Sequence, residues 1–316
     1  MKLHSTSKLK SWLFAMALIG GCFTTQCQST PQSFAYVLQA DAFARTKTAA
    51  VAQLRNCERD WIIIDTQFDN ASAWQPADLE QIRHGKTNRK VVAYISIGEA
   101  EDYRPYWRSE WGHHGKLTTN APVWLGWENP EWKGNYRVKY WHPAWQQLIL
   151  KVVTGAIIQG FDGVYLDIVD GFETFEQEGR NYIDNRINPE TRQSYRRDMV
   201  DWVGQIGTCA RARNPAALVI PQNGAQLLDQ AGFVGGINAM GIEDLFANGN
   251  RMQSKSQTEE VLHYLKCMAG IQKPVLLIEY PKNKDRQQQV MQKAHVQNFT
   301  WLITDRELKT LGQSGR

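Results

Sequence analysis

The chemistry of this chain is best sought where its apolar runs end. Asp167 closes GVYLD (163–167) and Glu243 closes AMGIE (239–243). Cleaving a glycosidic bond takes two carboxyl groups. One protonates the leaving oxygen, and the other acts as nucleophile or activates water. Asp167 and Glu243 are the candidates for that pair. Other apolar runs end at Asp65, Gly98-Glu99, Gln222-Asn223, Glu279 and Asp305. A single such acid can be read as a helix cap or a lysine partner. Carboxylates or amides at seven of eight run ends point instead to one shared polar mouth.

The elements that would build such a mouth are short apolar runs alternating with longer amphipathic stretches, the pattern of parallel βα units. The runs are FAYVLQA (34–40), WIIIDTQ (61–67), KVVAYISIG (90–98), GVYLDIV (163–169), LVIPQN (218–223), NAMGIEDLF (238–246), PVLLIEY (274–280) and TWLITD (300–305). Helices are expected at about 43–57, 76–85, 144–159, 189–213, 256–269 and 284–297, with only a turn or two at 225–232. Eight strands of this kind predict an α/β fold, a (β/α)8 TIM barrel, whose strand C-termini converge on one rim. Strand alternation places Gly163, Tyr165 and Asp167 on one face. Gly241, two residues before Glu243, leaves room for a bulky neighbour or a ligand. Besides the catalytic pair, Asp65, Tyr94, Glu99, Tyr165, Asn223 and Glu279 are candidate substrate-binding groups.

The segment 99–143 is far longer than an ordinary βα loop of about 2–6 residues. It forms a long Trp-rich insertion after strand 3. Seven of the twelve tryptophans fall between 107 and 145: Trp107, Trp111, Trp124, Trp127, Trp132, Trp141 and Trp145. Flat indoles suit the apolar faces of pyranose rings, and they equally suit a small core for the insertion itself. Trp145, on a helix, is expected in the core.

The first 22 residues read as an export signal, with Lys2, Lys8 and Lys10 before SWLFAMALIGG (11–21) and Cys22. That apolar run is too short to span a bilayer. Ile19-Gly20-Gly21-Cys22 is similar to a bacterial lipobox, which makes Cys22 the expected lipidation site. Residues 23–33 would then be a polar tether, and 34–316 the catalytic domain. Phe23, rather than Asp, after the cysteine favours the outer membrane, at its periplasmic or outer face. Removal of the three lysines from a formal charge of +4 leaves +1, so no nucleic-acid partner is expected. A monomer is expected.

Cys27, Cys57, Cys209 and Cys267 show no metal-type spacing. The last three are expected to be small buried hydrophobes. His113-His114 reads as a solvated loop pair. No GxSxG, HExxH or glycine-rich phosphate loop is present, and neither metal nor organic cofactor is called for.

Six segments taken in order resemble a known family. They are VVAYISIGEAEDYRPYW (91–107), VKYWHPAWQ (138–146), GFDGVYLDIVDGFE (160–173), IPQNGAQLL (220–228), GIEDLFANG (241–249) and LLIEYP (276–281). Together they resemble glycoside hydrolase family 114, the endo-α-1,4-polygalactosaminidase-like barrels, over 34–312. The resemblance implies a (β/α)8 barrel that hydrolyses α-1,4-linked galactosamine-rich exopolysaccharide. It also implies an Asp ending strand 4 and a Glu ending strand 6, positions held here by Asp167 and Glu243. Asp167 would be the nucleophile and Glu243 the acid/base, with the reverse assignment open, as is retention against inversion. A deacetylated galactosamine polymer is cationic and would be drawn to Asp65, Glu99, Glu101 and Asp102. GIEDLF differs from the NEEC-like segment of the family's characterised branch, which leaves the glycan open. The alternatives are a non-catalytic surface polysaccharide-binding protein and a transglycosylase.

Overall fold

The computed structural model describes residues 30–113 and 115–316, without the side chain of His113. Cys22, Cys27, the export signal, most of the tether and His114 lie outside the described residues.

All eight expected strands form: β1 (Phe34–Val37), β2 (Trp61–Asp65), β3 (Lys90–Ser96), β4 (Gly163–Asp167), β5 (Leu218–Pro221), β6 (Met240–Glu243), β7 (Val275–Glu279) and β8 (Thr300–Ile303). The helices between them are α1 (Lys47–Asn56), α2 (Pro76–Arg83), α3 (Pro143–Gln159), α4 (Tyr195–Arg213), α5 (Lys255–Gly270) and α6 (Lys284–Val296). Between β5 and β6 stand only a 3-10 turn at Ala225–Asp229 and a helical turn at Phe233–Gly236. Local chemistry fixes the helix starts. Thr46, Ser194, Ser254 and Asn283 each accept the orphan N–H three residues on, a cap worth about 1 kcal/mol. His142 caps α3 before Pro143, and Gly160 ends it at φ +112°, a conformation that favours glycine.

Each strand buries both faces. Alternate residues pack inside the barrel, among them Phe34, Tyr36, Ile63, Tyr94, Tyr165 and Ile278. The other parity packs against the helices, among them Val37, Ile64, Val91, Val164 and Leu277.

The expected closed eight-strand ladder is not what the hydrogen bonds draw. They form one parallel sheet, β1-β2-β3-β4-β5, and a second sheet, β6-β7-β8, which ends in the short antiparallel strand β9 (Gln313–Gly315). Two seams result. At β5/β6 the sheets are stitched by a lone bridge, Gln222 to Gly241, with Asn223 N–H donating to Gly241 O at 2.8 Å and Asn238 N–H to Val219 O at 2.8 Å. At β8/β1, β9 intervenes. Ser314 Oγ accepts Phe34 N–H at 2.9 Å and donates to Trp301 O at 2.7 Å. A strand running against the barrel takes the place of the missing β8–β1 pairing.

After β3 the chain folds a three-stranded antiparallel sheet from Glu99–Glu101, Leu125–Glu128 and Asn135–Val138. Edge-to-face contacts run from Trp107 to Trp111 to Trp124, and Trp124 meets Trp145 of α3. These indoles are mainly the insertion's own core. Trp127 and Trp132 stay exposed.

The cysteine expectation needs correction. Among the described residues Cys57, Cys209 and Cys267 form no disulfide, but Cys267 faces solvent and the other two are only half-buried. Among the described residues, no helix is long and apolar enough to cross a membrane.

Candidate functional site

Three neighbouring strands end in polar side chains of the inward parity: Asp167 on β4, Gln222 just past β5, and Glu243 on β6. The residue after each turns into the left-handed region: Ile168 at φ +55°, Asn223 at +59° and Asp244 at +50°. An asparagine or aspartate tolerates that conformation; a β-branched isoleucine does so only when its surroundings enforce it. These sharp turns end the strands abruptly and leave the three side chains facing the barrel mouth.

The two carboxyl groups meet through one amide. Gln222 Nε2 donates to Asp167 Oδ1 at 3.2 Å and to Glu243 Oε2 at 2.8 Å. Those oxygens therefore lie no more than about 6 Å apart, the two contacts laid end to end, and about 5 Å apart for the ~120° fork of an NH2 group. Gln222 is 3% exposed. Below the pair, the Tyr165 ring reaches across the barrel to Gly241, where a Cβ would run into its hydroxyl. The glycine makes the room expected of it, and the aromatic ring fills that room.

Each carboxyl also has its own tyrosine and arginine. Tyr94 Oη donates to Asp167 Oδ2 at 2.7 Å, and the Ile168 N–H reaches Oδ1 at 2.8 Å. Tyr280 Oη donates to Glu243 Oε1. Arg104 lies over the Tyr94 ring at 5.9 Å and is itself held by Asp65 and Glu101. Arg306 lies over Tyr280 at 4.3 Å and is paired to Asp244. Asp167 thus receives three donors and Glu243 two.

Burial, then the adjacent Asp167 charge, push the Glu243 carboxyl up to about 8. Burial also raises Asp167, against its bonds from Tyr94 and Ile168. In this coupled pair the first proton leaves Asp167, which has more donors, and the second stays on Glu243. Asp170, beyond β4, is raised to about 7 by burial and by Glu173 and Asp167.

The other expected binding residues divide. Tyr94 and Asn223 belong to the site: Asn223 Oδ1 accepts the Glu243 backbone N–H at 3.1 Å. Asp65 borders a hollow of 140 Å³ with Tyr94 and Tyr103, though its carboxylate is tied to Arg104. Tyr165 is fully buried beneath the pair. Glu99 and Glu279 are fully buried too, and their oxygens are consumed. Glu99 accepts from Asn129 and lies beside Arg137, whereas Glu279 takes the N–H groups of Phe246 and Ala247 at 2.7 and 3.0 Å. Both acids hold loops, and neither opens to the mouth.

Gln222, Tyr280, Arg104 and Arg306 were not nominated from the sequence. Gln222 stands at a run end in the sequence, where Asn223 beside it is the expected binding residue. Two further hollows adjoin the pair. One of 320 Å³ is lined by Asp170, Glu173, Glu243, Asp244 and Glu260, and one of 640 Å³ by Tyr280, Lys282, Asp305 and Arg306. Among the described residues, no group of three or more His, Cys, Asp or Glu is arranged to hold a metal ion.

Comparison with known proteins agrees with this architecture. Residues 22–316 match the model of "Glycoside-hydrolase family GH114". An uncharacterised protein of Deinococcus radiodurans is 30% identical over 87% of this chain and 81% of its own length. An uncharacterised protein of Methanocaldococcus jannaschii is 34% identical over 74% of this chain and 64% of its own. Among solved structures, the glycoside hydrolase domain of PelA from Pseudomonas aeruginosa superposes with a TM-score of 0.62 at 17% identity. It covers 90% of this chain and 99% of that one. Aspergillus fumigatus Ega3 in complex with galactosamine gives 0.61 at 19% identity, covering 93% and 98%.

Proposed function

The chain belongs to glycoside-hydrolase family GH114 and is a glycoside hydrolase acting on polysaccharide; on that premise we propose that it cuts a galactosamine-containing exopolysaccharide internally, with retention, using Asp167 as nucleophile and Glu243 as acid/base. The observation that carries this reading is the Asp167–Gln222–Glu243 bridge at the strand tips. It brings one oxygen of each carboxyl to about 5 Å from one oxygen of the other, which favours retention, with carboxyl groups about 5–5.5 Å apart, over inversion at about 6.5–9.5 Å. The proton order supplies the roles. Asp167 is ionised while Glu243, at about 8, still carries its proton.

In the first step Asp167 attacks the anomeric carbon, and the bond to the leaving oxygen breaks as Glu243 gives that oxygen its proton. Glu243, now a carboxylate, takes a proton from water, and the hydroxide replaces Asp167 at the same carbon. Tyr94 fixes the attacking carboxylate, and Tyr280 bonds the ionised acid/base. Hollows on several sides of the pair suit a chain that continues past the cut. The acidic hollow beside Glu243 suits a cationic amino sugar. Galactosamine is the ligand named for the Ega3 structure, and it is the reason for choosing that sugar first.

Product release from partially deacetylated α-1,4-galactosaminogalactan by wild type, Asp167→Asn and Glu243→Gln tests the reading. Oligosaccharides are expected from wild type alone, and the first-formed anomer, followed by NMR, is expected to keep the substrate's α configuration. Folded wild type that releases nothing would remove galactosamine, and a β anomer would remove the nucleophile role of Asp167. We further propose export and lipid anchoring at Cys22. Cys22→Ser should then leave the membrane fraction, and continued membrane association would overturn the anchor.

A further inference from the structure

We propose that Gln222 is the positioning residue of the carboxyl pair, its single amide nitrogen setting the spacing of Asp167 and Glu243 and favouring the charged form of each. This rests on the reading of those two acids given above.

The argument begins with the seam. Asp167 stands on the last-but-one strand of the first sheet, and Glu243 on the first strand of the second. Between these sheets, among the described residues, only a lone bridge, at Gln222 itself, continues the strand pairing. Two acids on separate sheets have no continuous ladder to fix their distance, so a side chain must hold it. Gln222 is placed for that task. Its backbone N–H donates to Leu166 O of β4 at 2.8 Å, the next residue bonds Gly241 of β6, and its NH2 reaches one carboxyl on each sheet.

The two ends of the amide confirm which of them matters to the site. Both N–H groups are used, while Oε1 is buried with no hydrogen-bond partner. A buried carbonyl without a donor is costly, and turning the amide over would aim that oxygen at an anion. The arrangement therefore favours carboxylates over carboxylic acids on both sides.

Other groups face the pair. Tyr36, Tyr94, Tyr165 and Tyr280 approach from the barrel interior and rim. Glu101, Asp170, Asp244 and Arg306 act through charge. Among the described residues, Gln222 alone donates hydrogen bonds to both carboxyls. Removing its N–H groups must raise both titrations, because a lost donor destabilises the charged form. Glu243 must rise further, since its ionisation makes the doubly charged pair.

The test uses Gln222→Met, which keeps length and shape without a donor, and Gln222→Asn, which keeps the amide one methylene short. Carboxyl 13C NMR titrations of the unliganded protein, assigned with Asp167→Asn and Glu243→Gln, read the pair without needing a substrate. In Gln222→Met both midpoints should move to higher pH by about one to two pH units, Glu243 the more. The pH–rate profile should shift the same way, with kcat falling at least about tenfold. Gln222→Asn should behave as Gln222→Met at one carboxyl and as wild type at the other. Midpoints left in place in a folded Gln222→Met protein would overturn the proposal, whatever happens to the rate. Shifted midpoints in a protein that cleaves no glycan would uphold the role of Gln222 and sink the catalytic reading instead.

Discussion

Replacing Asp167 by Asn should lower the Glu243 titration from about 8 to about 6. Glu243 is raised first by burial and second by the charge of Asp167. The substitution removes the second cause and leaves the first. With the nearest oxygens about 5 Å apart and an effective dielectric constant of about 20, the repulsion is about 3 kcal/mol. That is about 2 pH units of midpoint. An anion nearby disfavours a second anion, so its removal makes Glu243 easier to ionise, and the midpoint must fall. It should not reach the ordinary 4.5, since the carboxyl remains buried. The 13Cδ shift of Glu243 against pH gives the answer in the unliganded protein. The reciprocal variant supplies a control. Glu243→Gln should scarcely move Asp167, because Glu243 is neutral while Asp167 titrates. A Glu243 midpoint that stays near 8, or rises, in Asp167→Asn would refute both the coupling and the separation derived from Gln222.

Three other outcomes are expected. A carboxyl raised in the folded chain binds its proton more tightly there, so its contribution to stability is lost as pH rises from about 4.5 through about 8. Glu243→Gln should therefore melt above wild type, by a margin that widens across that window; a constant or negative margin would contradict the burial argument. Glu279→Gln sets an NH2 against one of the two backbone N–H groups that Glu279 now accepts. It should destabilise by about 1–3 kcal/mol in denaturant melts, and unchanged stability would show that the carboxylate does not hold the turn after β6. Gly241→Ala places a Cβ against the Tyr165 hydroxyl and should be strongly destabilising. Tyr165→Phe alone removes a buried hydroxyl without a partner and should be nearly neutral. In the double variant it should recover part of the loss, because the ring carbons remain close; no recovery would place the clash elsewhere.

The barrel strands were legible because each is a compact apolar run between turn-forming residues, and their order left few topologies open. Asp167 and Glu243 were legible because their strands carry a glycine two or four residues earlier on the same face. Parity elsewhere was not. Strands buried on both faces show no alternation, so VLLIE does not reveal that Leu276 and Ile278 face inward while Glu279 faces the helix layer. The inward residue at that tip is Tyr280, one position on. Glu99 was misleading for a different reason. Its partners Asn129, Asn135 and Arg137 come from the insertion, whose fold no local pattern announces. The discontinuity of the ladder was also hidden, since β9 is three residues of QSG, without the β-branched or aromatic character of a strand.

Ser314 has a consequence for the order of folding. Its hydroxyl accepts from Phe34, 280 positions earlier, so the first strand cannot gain its second neighbour until the end of the described chain has been made. Contacts of such separation carry the slowest loop closures of a fold. A chain emerging residue by residue can pair β1 with β2 early, but this seam stays open until Ser314 has been made. The strand that shuts the cylinder is thus the last of the described strands to appear.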